Sequence, residues 1–247
     1  MRIENNLNEV ALSEMKETLV VYEEEEPCPY IEGRTARMPL HLPLVKIGVA
    51  RSDRYMADGF RRSGGFLYRT NCTGCQACEA IRLNVDVFKP NRSQKRALKK
   101  GNDDLRIIIG PPISDQRRTS LFNKHRNIRG LNRNGADIDE DEFRMFLSET
   151  CLNTFEMAYY HGEELIGVAI CDLGETSMSA VYTFYDPDFS MMSPGTYSVM
   201  KQIEFCVNRG LQYLYLGYFI ADSSHMRYKQ NFRPHERLQK GEWNVFE

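Results

Sequence analysis

Three cysteines, Cys72, Cys75 and Cys78, stand in a C-x-x-C-x-x-C array. In a reducing compartment this spacing fits a metal ion or a cluster better than disulfide bridges. A second feature is uneven charge. The net charge is −2, yet residues 89–133 hold thirteen Lys and Arg against Asp103, Asp104 and Asp115, a local charge of +10 that leaves −12 elsewhere. Within that window Arg92, Lys95, Arg96, Lys99 and Lys100 recur at intervals of three and four, which places them on one broad helical face. Such a face suits a phosphate backbone, with affinity falling as salt rises. The alternative is a solvated helix surface, and the lack of acids before Asp103 favours RNA. The five histidines show neither ligand nor triad spacing, and there is no G-x-S-x-G, P-loop or H-E-x-x-H motif.

The elements that must position these residues follow from pattern and composition. The chain has 247 residues, 42% hydrophobic, 11% aromatic and 27% charged, as in an ordinary globular protein. No apolar run approaches the roughly 20 residues needed to span a bilayer. Residues 1–26 are acidic, end in Glu23-Glu24-Glu25-Glu26 and lack the apolar stretch of a secretory signal, so a cytoplasmic protein without a membrane partner is expected. That segment has a weak helical or strand-like pattern, and four prolines between 27 and 43 then break the chain into short pieces. A helix is expected over 45–59, a hairpin over 60–69 and a strand with one buried face over 81–88. Ser93 is read as the cap of a basic helix over 94–100 that Gly101 closes.

Further along, 105–109 reads as a strand and Ser114 as the cap of a helix to about 128. A helix over 139–151, strands over 155–160, 165–172 and 179–185, and a helix over 196–208 stopped by Gly210 follow. The run 213–220 is almost wholly apolar and is expected as a central strand parallel to a neighbour. A short helix over 225–232 and a hairpin around Trp243 complete the chain. The expected architecture is α/β (α+β): an N-terminal region, 1–103, bearing the cysteines and the basic helix, and a second domain, 104–247. The order β, α, α, β, β, β, α, β, α, β matches the general N-acetyltransferase (GNAT-like) fold, whose twisted mixed sheet splays open to hold an acyl donor. The gap is expected between 179–185 and 213–220. Acyl-CoA users of this fold carry a glycine-rich pyrophosphate loop at the following helix N-terminus. Here residues 188–198 have one glycine, no Arg or Gln, and a proline that removes a donor.

Several strings then converge on one resemblance. They are Gly59-Phe-Arg-Arg-Ser-Gly64, the cysteine array, Arg92-Ser-Gln-Lys-Arg96, Tyr185-Asp-Pro, Pro194-Gly-Thr-Tyr-Ser, Lys201-Gln-Ile-Glu204, Tyr215-Leu-Gly-Tyr218 and Met226-Arg-Tyr-Lys229, with Cys28-Pro-Tyr30 near the start. In this order, from about 27 to 243, the chain resembles the arginyl/leucyl-tRNA–protein transferase family, and most of all its bacterial aspartate/glutamate leucyltransferase branch. The resemblance implies transfer of leucine, or of arginine, from a charged tRNA to the α-amine of proteins that begin with Asp or Glu, which marks them for N-end degradation. It implies aminoacyl-tRNA and acidic-N-terminus proteins as partners, and a monomer is expected.

The implied reaction is aminolysis of an already activated ester. It needs alignment, a proton acceptor and oxyanion stabilisation, with no cofactor and no covalent enzyme intermediate. Tyr185, Asp186 and Tyr218, at the ends of the splayed strands, are candidates to order the amine or the terminal ribose. An acidic acceptor residue calls for a cation, and a guanidinium fork matches a carboxylate bidentately. Arg62, Arg69 and Lys229, with Tyr228 beside the last, are the substrate-binding candidates. Arg92, Lys95, Arg96, Lys99 and Lys100 are the tRNA-binding candidates. Cys28, Cys72, Cys75 and Cys78 together would make a four-thiolate site for zinc or an iron–sulfur cluster, between which spacing does not choose. Thiols held by packing are the alternative. A CoA-dependent N-acyltransferase of the same fold and a non-enzymatic RNA-binding module are the rival readings.

Overall fold

A computed structural model describes residues 17–132 and 135–247. The pattern expected over 1–16, and Arg133 of the basic window, lie outside the described residues. The strands in chain order are β1 (Thr18–Tyr22), β2 (Glu25–Pro27), β3 (Thr35–Arg37), β4 (Leu40–Pro43), β5 (Arg61–Ser63), β6 (Phe66–Tyr68), β7 (Glu79–Asn84), β8 (Arg106–Gly110), β9 (Asn153–His161), β10 (Glu164–Leu173), β11 (Ser177–Tyr185), β12 (Tyr213–Phe219), β13 (His235–Gln239) and β14 (Glu242–Phe246). The helices are α1 (Val49–Ala57), α2 (Arg92–Asp104), α3 (Gln116–Ile128), α4 (Glu140–Phe143, continued by a π-helical turn Arg144–Ser148), α5 (Pro194–Arg209) and α6 (Ser224–Arg227, continued by a 3-10 turn Tyr228–Asn231).

Eight strands form one mixed sheet in the order β14-β13-β7-β12-β11-β10-β9-β8, and β1-β4-β6-β5 form a small sheet beside it. β7, from the cysteine-bearing first hundred residues, is hydrogen-bonded antiparallel to β12 and to β13. Alternate residues of the central strands feed two cores. Met157, Ala169, Cys171, Met178 and Leu214 meet Val199, Met200, Ile203 and Cys206 of α5 on one face. Ala158, Val168, Ile170 and Phe184 meet Leu121 and Phe122 of α3 and Phe143 of α4 on the other. Helices on both faces bury both, which is why β10 reads as a near-continuous apolar run.

Several local expectations are corrected. The basic helix is capped by Asn91 in place of Ser93: Gln94 N–H donates to Asn91 Oδ1 at 3.0 Å and Asn91 N–H to Gln94 Oε1 at 2.8 Å, a reciprocal box that satisfies two end groups. Gly101 does not close this helix, which runs on to Asp104. Its missing side chain makes room for the Tyr197 ring, since a Cβ there would lie 2.2 Å from a ring carbon. Asp115, in place of Ser114, caps α3. The strand expected over 81–88 ends at Asn84 in a turn, and the helix expected to 151 stops at Ser148.

Candidate active site

β11 and β12 run parallel but pair only at Ser177–Tyr213, Met178–Leu214 and Ser179–Tyr215. β11 then continues to Tyr185 and β12 to Phe219 without pairing with each other. This is the splay expected of the fold, between the strands where it was expected. Irregular register on both flanks drives it. β10–β11 shifts between Ile170 and Cys171, and β12–β7 shifts between Tyr215 and Tyr218, where Gly217 takes φ +86°. A bulge of this kind bends its strand and adds local twist. Between the parted strands lies a cavity of about 520 Å³, lined by Ser179 to Tyr182 of β11 and by Leu216, Gly217 and Tyr218 of β12. That volume is in the range of small-molecule sites, about 300–1,000 Å³.

Three buried cations, Arg61, Arg62 and Lys229, line the cavity, and two of them lack a counter-charge among the described residues. Arg61, from β5, donates from Nη2 to Gly217 O at 3.1 Å, and its guanidinium lies 5.5 and 5.4 Å from the ring centres of Tyr215 and Tyr218. Lys229, from the turn after α6, donates from Nζ to Tyr218 O at 2.6 Å and lies 3.3 Å from Met226 Sδ. Both are more than nine-tenths buried, and among the described residues neither has an ion-pair partner. Burial, with a smaller contribution from Arg61, pushes the Lys229 amine down to about 7. The cavity wall also carries Glu24 and Glu26, both exposed.

The residues singled out in the sequence fall into separate groups. Arg62, Tyr218 and Lys229 share the cavity. Arg62 Nε contacts Asp172 Oδ1 and Oδ2 at 3.1 and 2.9 Å, so its charge is met inside the protein. The Tyr218 hydroxyl donates to Gly59 O at 3.0 Å, and burial pushes this phenol up. Tyr185 and Asp186 are not among the cavity-lining residues. The Asp186 carboxylate receives Lys124 Nζ at 2.7 Å, and the Tyr185 ring packs on His125, with centroids 4.5 Å apart. Tyr228, about half exposed, is an electrostatic neighbour of Tyr185. Arg69 donates to Asp58 O at 3.0 Å and lines a different cavity, on the other side of Tyr218, together with Cys72, Cys75 and Cys78. Arg61, Glu24, Glu26, Tyr30 and Tyr68 line the seam cavity and were not singled out in the sequence. The Arg61-Arg62 doublet carried a usable signal, because adjacent strand residues face opposite ways.

The cysteines gather beneath this floor. Burial, then the nearby Cys28, Cys72 and Cys75, push the Cys78 thiol up to about 12. Ile31 N–H points at Cys28 Sγ (3.4 Å), Arg37 N–H at Cys72 Sγ (3.3 Å) and the Arg34 guanidinium at Cys75 Sγ (3.4 Å). Such donors suit thiolate ligands. Yet among the described residues no three His, Cys, Asp or Glu side chains are arranged to hold a metal ion, so the donor chemistry fits a metal and the arrangement does not close around one. Cys78 does touch the cavity floor: it packs with Tyr30, Tyr68 and Tyr218. Cys171 and Cys206 are fully buried in the main core, and Cys151 is half-buried.

The basic helix presents Arg92, Lys95, Arg96, Lys99 and Lys100 to solvent, and buries Gln94, Ala97 and Gly101 against α5. None of the five makes an ion pair among the described residues; Lys100 donates to Met191 O at 3.2 Å. The helix is tied to the seam by Gln94 Nε2, which donates to Asn231 O at 3.1 Å, two residues beyond Lys229.

Comparison with known proteins decides the family. The model for arginine-tRNA-protein transferase, N terminus, matches residues 26–96, and that for its C terminus matches residues 117–239. A protein of Acinetobacter baumannii named aspartate/glutamate leucyltransferase is 36% identical over 216 residues, 87% of this chain and 80% of its own. The chain belongs to the arginine-tRNA-protein transferase family. A second relative of the same name, from Saccharophagus degradans, is 37% identical over 89% of this chain and 93% of its own. The solved FemX structure overlaps 74% of this chain and 63% of its own at 9% identity, with a TM-score of 0.43, too slight a likeness to argue from. The single glycine of the loop after β11 has a packing role: a Cβ on Gly195 would come 3.3 Å from the Tyr185 ring. No helix among the described residues is long and apolar enough to cross a membrane.

Proposed function

We propose that this transferase moves leucine from leucyl-tRNA to the N-terminal α-amine of proteins beginning with Asp or Glu, so that the product carries the leucine that commits it to N-end degradation. The observation that carries the reading is the cavity in the parted β11–β12 seam, floored by buried cations and tied through Gln94 to a helix with five exposed basic side chains. The names of the relatives supply the leucine and the acidic acceptor.

The aminoacyl ester enters the seam with its ribose end toward the tRNA. The stretch of β11 beyond Ser179, which no longer pairs with β12, offers backbone N–H groups to the ester carbonyl as it becomes an oxyanion. An α-amine has a pKa of about 7.7–8.0, so on the order of a tenth is neutral at pH 7 without help. Its nitrogen attacks the ester carbon, the C–O bond to the ribose breaks, and the proton shed by nitrogen ends on the ribose oxygen. The cavity contributes mainly by alignment, which is worth several orders of magnitude in rate. Arg92, Lys95, Arg96, Lys99 and Lys100 hold the tRNA backbone outside the seam.

The test incubates the purified protein with leucyl-tRNA, arginyl-tRNA and an Asp-initiated peptide, and reads the product by mass spectrometry. A peptide heavier by one leucyl residue is expected. No aminoacyl product, with thermal stabilisation by acetyl-CoA, would replace this reading with a CoA-dependent one.

A further inference from the structure

We infer that Arg61 and Lys229 together form the receptor for the acidic side chain of the acceptor's first residue, with Arg61 supplying the fixed fork and Lys229 a movable second cation. This rests on the proposed reaction and adds the residues that select its substrate.

The charges on the cavity floor are out of balance. A buried charge without a counter-charge is costly, and native proteins pair such groups. Arg61 and Lys229 break that rule side by side, held by the consecutive carbonyls of Gly217 and Tyr218. Among the described residues Arg61 Nε has no hydrogen-bond partner. Carbonyl dipoles orient these cations without neutralising them. Both line a cavity large enough for a ligand, so the missing charge has a place to enter.

The bulge in β12 builds this arrangement. Gly217 takes φ +86°, a conformation that other residues rarely adopt, and a Cβ there would stand 3.4 Å from Lys229 Nζ. The same bulge takes β12 out of register beside the parted seam. The anion site therefore lies where the strands supply the reaction cavity.

The choice of anion follows from the wall. Glu24 and Glu26 share the lining and repel a polyanion such as the tRNA backbone, whereas a protein N-terminus brings an ammonium and a carboxylate together. A small carboxylate that passes the glutamates meets its counter-charges at the floor. A rigid guanidinium with a flexible lysine beside it accepts carboxylates on arms that differ by one methylene, which both Asp and Glu require. Arg62, on the same strand, is excluded from this role because Asp172, at 2.9 Å from its Nε, already supplies its counter-charge.

The test compares peptides that differ only in their first residue, Asp against Asn and Glu against Gln, with leucyl-tRNA as donor. The proteins are wild type, Arg61→Lys, Arg61→Met and Lys229→Met. Wild type is expected to prefer Asp over Asn by at least about a hundredfold in kcat/KM, since a site built for a polar partner rejects the analogue that lacks it. Arg61→Met and Lys229→Met each bring that ratio below about tenfold by raising KM for the acidic peptide, while KM for leucyl-tRNA stays within about threefold. Arg61→Lys retains more of the ratio than Arg61→Met. If Arg61→Met does not fold, the Lys229→Met ratio decides. Full discrimination retained in Lys229→Met, or a rise in KM for leucyl-tRNA with the Asp-to-Asn ratio unmoved, overturns the assignment. A wild-type protein that puts no leucine on the Asp peptide sinks the underlying reaction instead, so the two failures are distinguishable.

Discussion

Arg62 and Arg61 are consecutive residues of β5, 6% and 7% exposed, and their surroundings differ in one respect. Around Arg62, Asp172 meets the guanidinium, Thr154 donates its hydroxyl to the same carboxylate at 2.6 Å, and Gly64 O and Glu149 O accept further bonds. Around Arg61 there are carbonyls and tyrosine rings, Lys229 nearby and, among the described residues, no ion-paired carboxylate. Burial alone therefore does not separate a structural arginine from one prepared for a ligand. The counter-charge does. One region is closed electrostatically and braces β5 against β10; the other is left open at the place where the sheet itself is open.

The largest effect that tests this contrast lies on the closed side. Arg62→Met leaves Asp172 buried without its partner, and breaking one half of a buried pair costs about 3–5 kcal/mol. Urea unfolding should show that loss, and the double change Arg62→Met with Asp172→Leu should recover much of it. A loss under about 1 kcal/mol would mean that Asp172 finds other partners and that the two regions are less different than described.

On the open side the contrast predicts a pH dependence. The Lys229 amine is held down to about 7 in the fold, against an ordinary value near 10.5. Between those values the unfolded chain binds the extra proton and the folded chain sheds it, so this residue's contribution to stability rises with pH above 7. From pH 7 to 8.5 that gain is on the order of 2 kcal/mol relative to Lys229→Met, whose unfolding curve lacks it. The acidic acceptor peptide should reverse the trend by drawing the proton back onto Lys229. A wild type and a Lys229→Met protein with parallel pH–stability curves would show that this cation is compensated after all.

Much of this molecule was legible beforehand because its strongest signals are periodic. The order of the elements and the apolar run 213–220 located the seam, and both predicted strands flank it. Less legible was what depends on distant partners. Gly101 reads as a helix stop until Tyr197, 96 positions later, is seen packed on it. Arg61 and Arg62 are one doublet in the sequence, and only the pairing of Arg62 with Asp172, 110 residues away, tells which one is neutralised. Tyr185 and Asp186 end the expected strand, yet the cavity lies nearer the point of parting, where β12 bulges. Spacing grouped Cys72, Cys75 and Cys78 and did not convey that Cys78 packs with Tyr30 and Tyr68.

The smallest effect sharpens the comparison at its hinge. Gly217 is the backbone link between the parted seam and the two cations, and its positive φ charges an L-residue about 1–2 kcal/mol. Gly217→Ala should lower the free energy of unfolding by that amount, well short of the Arg62→Met loss. The local response has two routes. Either the bulge holds and the new methyl crowds Lys229 Nζ, or the bulge flattens and withdraws the carbonyls of Gly217 and Tyr218 from Arg61 and Lys229. Both routes weaken use of Asp peptides more than binding of leucyl-tRNA. A variant that loses stability but discriminates Asp from Asn as wild type does would separate the bulge from the anion site, leaving Gly217 a purely conformational residue.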